Sequence, residues 1–170
     1  RNVSFKYRAD DADWVLDNVS FKINTGDKVA FLGPTGAGKS TIINLLSRFY
    51  EYNKGSIEID GVNIRDYDLA TLRKNTGVVL QDVYLFNDTI LNNITLNNAE
   101  MSRETVIEST REIGLYDYIL SLPGGFDYRV TERGQSLSAG QRQLIAFIRA
   151  YVYKPSVFIL DEATATIDTH

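Results

Sequence analysis

A chain of 170 residues has the length of one domain, and its 44% hydrophobic and 24% charged content is that of an ordinary globular protein. A formal charge of −4 excludes a protein that grips nucleic acid by neutralising phosphates over a broad basic face. The lack of cysteine excludes disulfides and thiolate metal sites and fits a cytoplasmic protein, and no apolar run is long enough to span a bilayer. Arg1 opens inside a strand-like pattern and His170 closes just after a motif, so a longer parent is expected.

In chain order, residues 3–7 alternate apolar and polar side chains as an edge strand would, and residues 16–23 read as a second strand region. After a turn at Thr25-Gly26-Asp27, the run from Lys28 to Leu32 reads as a short, buried, parallel strand. Glycines follow, and then Ile42, Ile43, Leu45, Leu46 and Phe49 form a helical stripe over residues 39–49. Lys54-Gly55 and Asp60-Gly61 are turns around a strand at 56–59, in a hairpin pattern. Residues 76–80 form another apolar strand, and the stretch from Thr89 to about Leu120 is helical. Pro123-Gly124-Gly125 is a loop, 139–151 a helix, and 157–160 a strand reset by Pro155. Strands on both sides of a helical block predict an α/β fold with a P-loop core and a helical insertion.

Gly33-Pro34-Thr35-Gly36-Ala37-Gly38-Lys39-Ser40, followed by Thr41, satisfies the G-x-x-x-x-G-K-[ST] pattern between an apolar run and a helical one. Glycines let backbone N–H groups approach phosphate oxygens, and the helix that follows turns its positive end on the same anion. Lys39 supplies a compact charge for the β- and γ-phosphates, and the Ser40 hydroxyl suits Mg²⁺. The pattern alone says only that the chain binds a nucleotide, because many chemistries share it.

The strand at 157–160 ends in two adjacent carboxylates, Asp161 and Glu162. In a phosphate-loop protein such a strand pins its first acid, Asp161, near the metal. Successive strand residues point in opposite directions, which frees Glu162 to reach an attacking water as general base. Upstream, Leu137-Ser138-Ala139-Gly140-Gln141 opens a helix with a hydroxyl and a glycine N–H, the makings of an anion site. A plain serine cap would look the same in isolation.

The order of these motifs resembles the ATP-binding cassette (ABC) ATPases nearly end to end. Residues 137–141 are similar to the LSGGQ signature, with Ala139 in place of one glycine. The resemblance implies a RecA-like parallel-sheet core, an N-terminal antiparallel β subdomain and a helical subdomain at about 82–149, with the core at about 1–81 and 150–170. It implies that Tyr7 stacks on adenine and that Gln81 contacts metal and attacking water and senses a membrane domain. Asp168, in a segment that looks like the D-loop, would lie at a dimer interface.

The implied mechanism is head-to-tail. ATP and Mg²⁺ bind the phosphate loop of one domain, and the signature of a second nucleotide-binding domain closes over them. Ser138 and Gly140 would serve the partner's nucleotide. Thr131-Glu132-Arg133-Gly134 resembles the exporter X-loop, and Asn53 to Gly61 followed by Leu72-Arg73 also looks like the exporter type. A transmembrane domain upstream of Arg1, multidrug or lipid export, a place on the cytoplasmic face of the membrane and no nucleic-acid partner are the expectations.

Three features bear on these expectations. Ala139 raises a heterodimeric parent as one arrangement beside a homodimer. His170, the only histidine, does not have the spacing of the family's switch histidine. The 170-residue chain alone is therefore expected to bind ATP poorly or to hydrolyse it slowly. Asn93-Ile94-Thr95 matches the glycosylation triplet and is read as chance. The alternative, a soluble ABC ATPase of DNA repair or translation, lacks the support of sustained heptads or basic linkers.

Overall fold

The computed structural model describes residues 1–131 and 134–161. Two compact units arise, Arg1–Arg73 and Lys74–His170. The first opens with strands β1 (Val3–Phe5) and β2 (Leu16–Val19), paired antiparallel with Val3 opposite Val19 and Phe5 opposite Leu16. Helix α1 spans Lys39–Leu46, the two-residue strands β3 (Glu58–Ile59) and β4 (Val62–Asn63) form a hairpin, and helix α2 spans Leu69–Lys74. Asp60 (φ 51°) and Gly61 (φ 79°) both turn left-handed, which is the demand of a two-residue hairpin turn of type I′.

One apolar cluster, Val3, Phe5, Leu16, Leu45, Tyr52, Ile64 and Leu72, unites the elements of this unit. Among the described residues β1 forms a ladder with β2 alone, as an edge strand does. Besides β2 it bridges Lys54, with Ser4 N donating to Lys54 O at 3.2 Å and Lys54 N donating back to Ser4 O at 3.1 Å. Ser4 is tolerated inside because its Oγ accepts from Asn18 N at 3.0 Å. Between β1 and β2, Trp14 carries two cations over its ring, with Lys6 Nζ at 5.2 Å and Lys54 Nζ at 4.9 Å from the centroid.

The strand expected at Lys28–Leu32 is absent. No ladder includes these residues among those described, and Val29 and Leu32 are 52% and 93% exposed. A strand exists only through its neighbours' hydrogen bonds, and an apolar run without them has the composition of a strand but not its structure. β2 likewise stops at Val19, leaving Phe21 and Ile23 exposed.

In the second unit, β5 (Thr76–Val79) and β6 (Val157–Leu160) pair in parallel, from Thr76 opposite Val157 to Val79 opposite Leu160. Between them run α3 (Ile90–Thr95), α4 (Arg103–Glu112), α5 (Tyr116–Ser121), a 3₁₀ turn at Gly125–Asp127 and α6 (Ala139–Tyr151). Their core joins Leu85, Ile90, Ile94, Val106, Ile119, Phe126, Val130, Ile145 and Ile148. The side-chain oxygens of Thr89 and Ser102 cap α3 and α4 by accepting from Asn92 N and Thr105 N. A bidentate pair ties α4 to the 3₁₀ turn, Arg103 Nη1 and Nη2 each lying 2.8 Å from an Asp127 carboxylate oxygen. The Arg103 guanidinium holds the Asp127 carboxyl below its ordinary range. β6 is less buried than its apolar sequence predicts: its first three residues are half-buried and Leu160 is exposed.

Candidate functional site

The loop from Gly33 to Gly38 leads directly into α1. Gly38 caps the helix in the left-handed region (φ 86°), and Gly36 takes the same conformation. A Cβ on Gly38 would meet Leu16 Cδ2 at 2.7 Å, so glycine is demanded by both dihedral and contact. Ala37 N donates to Pro34 O at 3.1 Å, and Ile42 N to Gly38 O at 3.0 Å, closing loop and first helical turn. Lys39 Nζ donates to Gly33 O at 2.7 Å and Pro34 O at 3.1 Å. The ammonium thus lies against the loop's own carbonyls, at the helix end where an anion is favoured.

Tyr7 belongs to the same unit. Its hydroxyl is 3.0 Å from Thr41 Oγ1, and its ring meets Phe5 and Tyr50 edge-on, with centroids 4.8 Å and 4.9 Å away. Tyr7 stays 44% exposed. A half-exposed aromatic is thereby attached to the helix that carries the phosphate loop.

In the second unit, Gln81 and Asp161 both follow the carboxyl ends of the parallel pair. Asp161 N donates to Val79 O at 2.9 Å, extending the ladder one step beyond Leu160. Ligands of open α/β sheets bind outside this edge. Gln81, Asp82 and Val83 share a small pocket of about 170 Å³ with Ala139, Arg142 and Gln143 of α6. The segment after β5 and the start of α6 therefore face a common space. Gln81 and Asp161 belong to the second unit, and Tyr7 and Gly33 to Thr41 to the first.

Ser138 is the N-cap of α6 in a reciprocal capping box. Its Oγ accepts from Gln141 N at 3.2 Å, and Gln141 Oε1 accepts from Ser138 N at 2.9 Å. Leu137 is buried beneath the cap, and Arg142 Nη1 donates to its carbonyl at 2.7 Å. Ala139 and Gly140 form the first helical turn with Ala139 exposed, so the alanine methyl costs the helix nothing. Glu162, Asp168 and His170, together with Glu132 and Arg133 of the X-loop-like run, lie outside the described residues.

Sequence reasoning missed the polar knot behind this surface. Asn93 is fully buried; its Nδ2 donates to Phe86 O and Thr89 O, both at 3.0 Å, and its Oδ1 accepts from Phe86 N at 2.8 Å. Arg149 of α6 donates Nε to Asn93 O at 2.7 Å and Nη1 to Tyr84 O at 3.2 Å. Burial pulls the Arg149 guanidinium below its ordinary value, against the pull of Tyr153. The only sequence signal was a polar residue and an arginine inside apolar helical stripes. Burial also settles the triplet at Asn93, whose amide is consumed by the backbone and closed to glycan.

A glycine-rich loop that opens a helix in the first unit, and a parallel strand pair followed by Gln81 and by Asp161 in the second, define a P-loop nucleotide-binding α/β domain. Residues 16–165 match the ABC transporter family, and the chain belongs to it. It is 48% identical over 170 residues to an ATP-dependent lipid A-core flippase of Haemophilus influenzae, covering 99% of this chain and 29% of the flippase. YgaD of Bacillus subtilis, which carries the name of a multidrug export ATP-binding/permease protein, is 43% identical over 168 residues, with coverage of 99% and 29%. A solved bacterial Atm1-family ABC exporter with ATP bound superposes at a TM-score of 0.90 with 43% identity, over 99% of this chain and 29% of that one. The chain thus spans about 29% of the length of these relatives. Among the described residues, no helix is long and apolar enough to cross a membrane.

Proposed function

We propose that this domain powers an exporter by nucleotide-dependent head-to-tail pairing with a second nucleotide-binding domain, under a transmembrane domain that its hydrolysis drives. The loop around Lys39 carries the reading: a left-handed Gly38 at a helix N-terminus, with the ammonium 2.7 Å from a loop carbonyl. That geometry suits exchange of the carbonyls for phosphate oxygens. Export of lipids or drugs is read from similarity to relatives bearing those names, and a place on the cytoplasmic face of the membrane is part of the same proposal. The same names speak against a soluble clamp of DNA repair or translation.

In this reading Gly33 to Thr41 hold the phosphates of ATP, with Lys39 on the β- and γ-phosphates, and Tyr7 stacks on the base. Ser40, Asp161 and Gln81 offer only oxygen donors, the set that suits Mg²⁺, which favours oxygen and keeps several waters. Held by these three side chains, the ion would supply positive charge to offset that of the phosphates. Glu162 takes the proton of the attacking water as that water's oxygen bonds to the γ-phosphorus and the bond to ADP breaks. Leu137, Ser138, Ala139, Gly140 and Gln141 present the α6 N-terminus to the partner's nucleotide, and Asp168 meets the partner at the interface. The division into a core and a helical subdomain at about 82–149 belongs to the same proposal.

Glu162→Gln in the full-length protein tests the assignment. Turnover is expected to fall by about 10² to 10⁴, the worth of a positioned general base. ATP should accumulate in a stable dimer, visible by size-exclusion chromatography with bound-nucleotide analysis. Hydrolysis at an undiminished rate would remove Glu162 from the role.

A further inference from the structure

Tyr7 is restrained more tightly than an exposed stacking platform requires. Its hydroxyl lies 3.0 Å from Thr41 Oγ1 and accepts a longer hydrogen bond from Asn44 Nδ2 at 3.4 Å. Thr41 and Asn44 are three residues apart on α1 and therefore share a face. Phe5 supports the ring from one side at an interplanar angle of 82°, and Tyr50 meets it from another at 89°. Tyr50 is itself 46% exposed, so the pair forms a right-angled aromatic corner open to solvent.

The turn that delivers Tyr50 is built for the purpose. After the Ser47 cap, Arg48 takes the left-handed conformation (φ 49°), Arg48 N donates to Leu45 O at 3.1 Å and Phe49 N to Asn44 O at 2.9 Å. These two bonds are the Schellman pattern, normally a glycine's place. Arginine holds the position because its side chain is anchored: Nη1 donates to Ile64 O and Tyr67 O, both at 2.9 Å, and Nε donates to Glu51 at 3.1 Å. The chain reversal is thus fixed from within the unit, and Tyr50 arrives at one place against Tyr7.

We propose that Tyr50 and Asn44 are positioning residues that fix the ring plane of Tyr7 for a nucleotide base, while the Tyr7–Thr41 contact sets base and phosphate subsites at a constant separation. The inference rests on the reading of Tyr7 as the base platform. Its physical basis is preorganisation: a ring already immobile loses less freedom when a base stacks on it. The effect must therefore depend on the base and not on the phosphates.

Two probes separate those dependences on the full-length protein by isothermal titration: the non-hydrolysable ATP analogue AMP-PNP, and inorganic tripolyphosphate, which carries no base. Tyr50→Ala is expected to weaken AMP-PNP binding at least about 5-fold, the lower end of what an aromatic–base stack contributes, and to leave tripolyphosphate unchanged. Tyr50→Phe should bind as the parent does, because the ring is kept. Asn44→Ala should give a smaller loss in the same direction, and with Tyr50→Leu it decides the matter if Tyr50→Ala does not fold. Tyr7→Ala is the reference. If it leaves AMP-PNP affinity intact, the base-platform reading itself falls. If it weakens AMP-PNP and the Tyr50 and Asn44 variants do not, the positioning role alone is overturned. Equal losses for both probes in the Tyr50 variants would make Tyr50 a packing residue and overturn it as well.

Discussion

Gly38 shows how much a single position can be asked to satisfy. Its φ of 86° is closed to residues with a Cβ at a cost of about 1–2 kcal/mol, and the added carbon would meet Leu16 Cδ2 at 2.7 Å. Gly38→Ala should therefore lower stability by about 1–2 kcal/mol in urea denaturation and also displace the N–H groups offered to phosphate. Unchanged stability would mean that the loop relaxes freely. This glycine was legible in the sequence, since the phosphate-loop pattern names it. Asn93 was not. Its hydrogen bonds to the backbone arise from residues 86–89 folding over α3, a tertiary event that no local pattern announces.

Helix α6 is the element where sequence and structure agree most closely. A serine three residues before a glutamine, then an amphipathic stripe, announced its start, and the capping box stands in place at Ser138 and Gln141. The cap and the proposed contact to a partner's nucleotide use the same hydroxyl, and two substitutions separate them. Ser138→Ala should cost about 1 kcal/mol of stability through the lost cap. Ser138→Asp should keep the cap, since carboxylates cap well, and yet abolish ATPase activity of the full-length protein by repelling phosphate. Parallel thermal melts and turnover assays check this, and an active Ser138→Asp protein would speak for a capping role alone. Other elements were less legible. Residues 28–32 carry a strand's composition but lack the hydrogen-bonded neighbours that would make one. α2 went unnoticed because its six residues bury only Leu72, although Asp68 caps it by accepting from Thr71 N at 2.9 Å.

Across the whole chain, each compact unit has its own apolar cluster, one built on β1, β2, α1 and the β3–β4 hairpin, the other on the helices between β5 and β6. The motif order was readable because each motif is a local pattern. The grouping into units was not, because it depends on which clusters close on themselves. It has an optical consequence through Trp14, held between Lys6 and Lys54 in the first unit. Trp14 is the chain's one tryptophan, so indole emission reports on the first unit alone, whereas far-ultraviolet circular dichroism is weighted towards the helices of the second. If the clusters melt separately, the two signals should give different denaturation midpoints. Superimposable curves would show instead that the units unfold as one. The single indole flanked by two ammonium groups is thus a native fluorophore for the half of the chain that holds the phosphate loop.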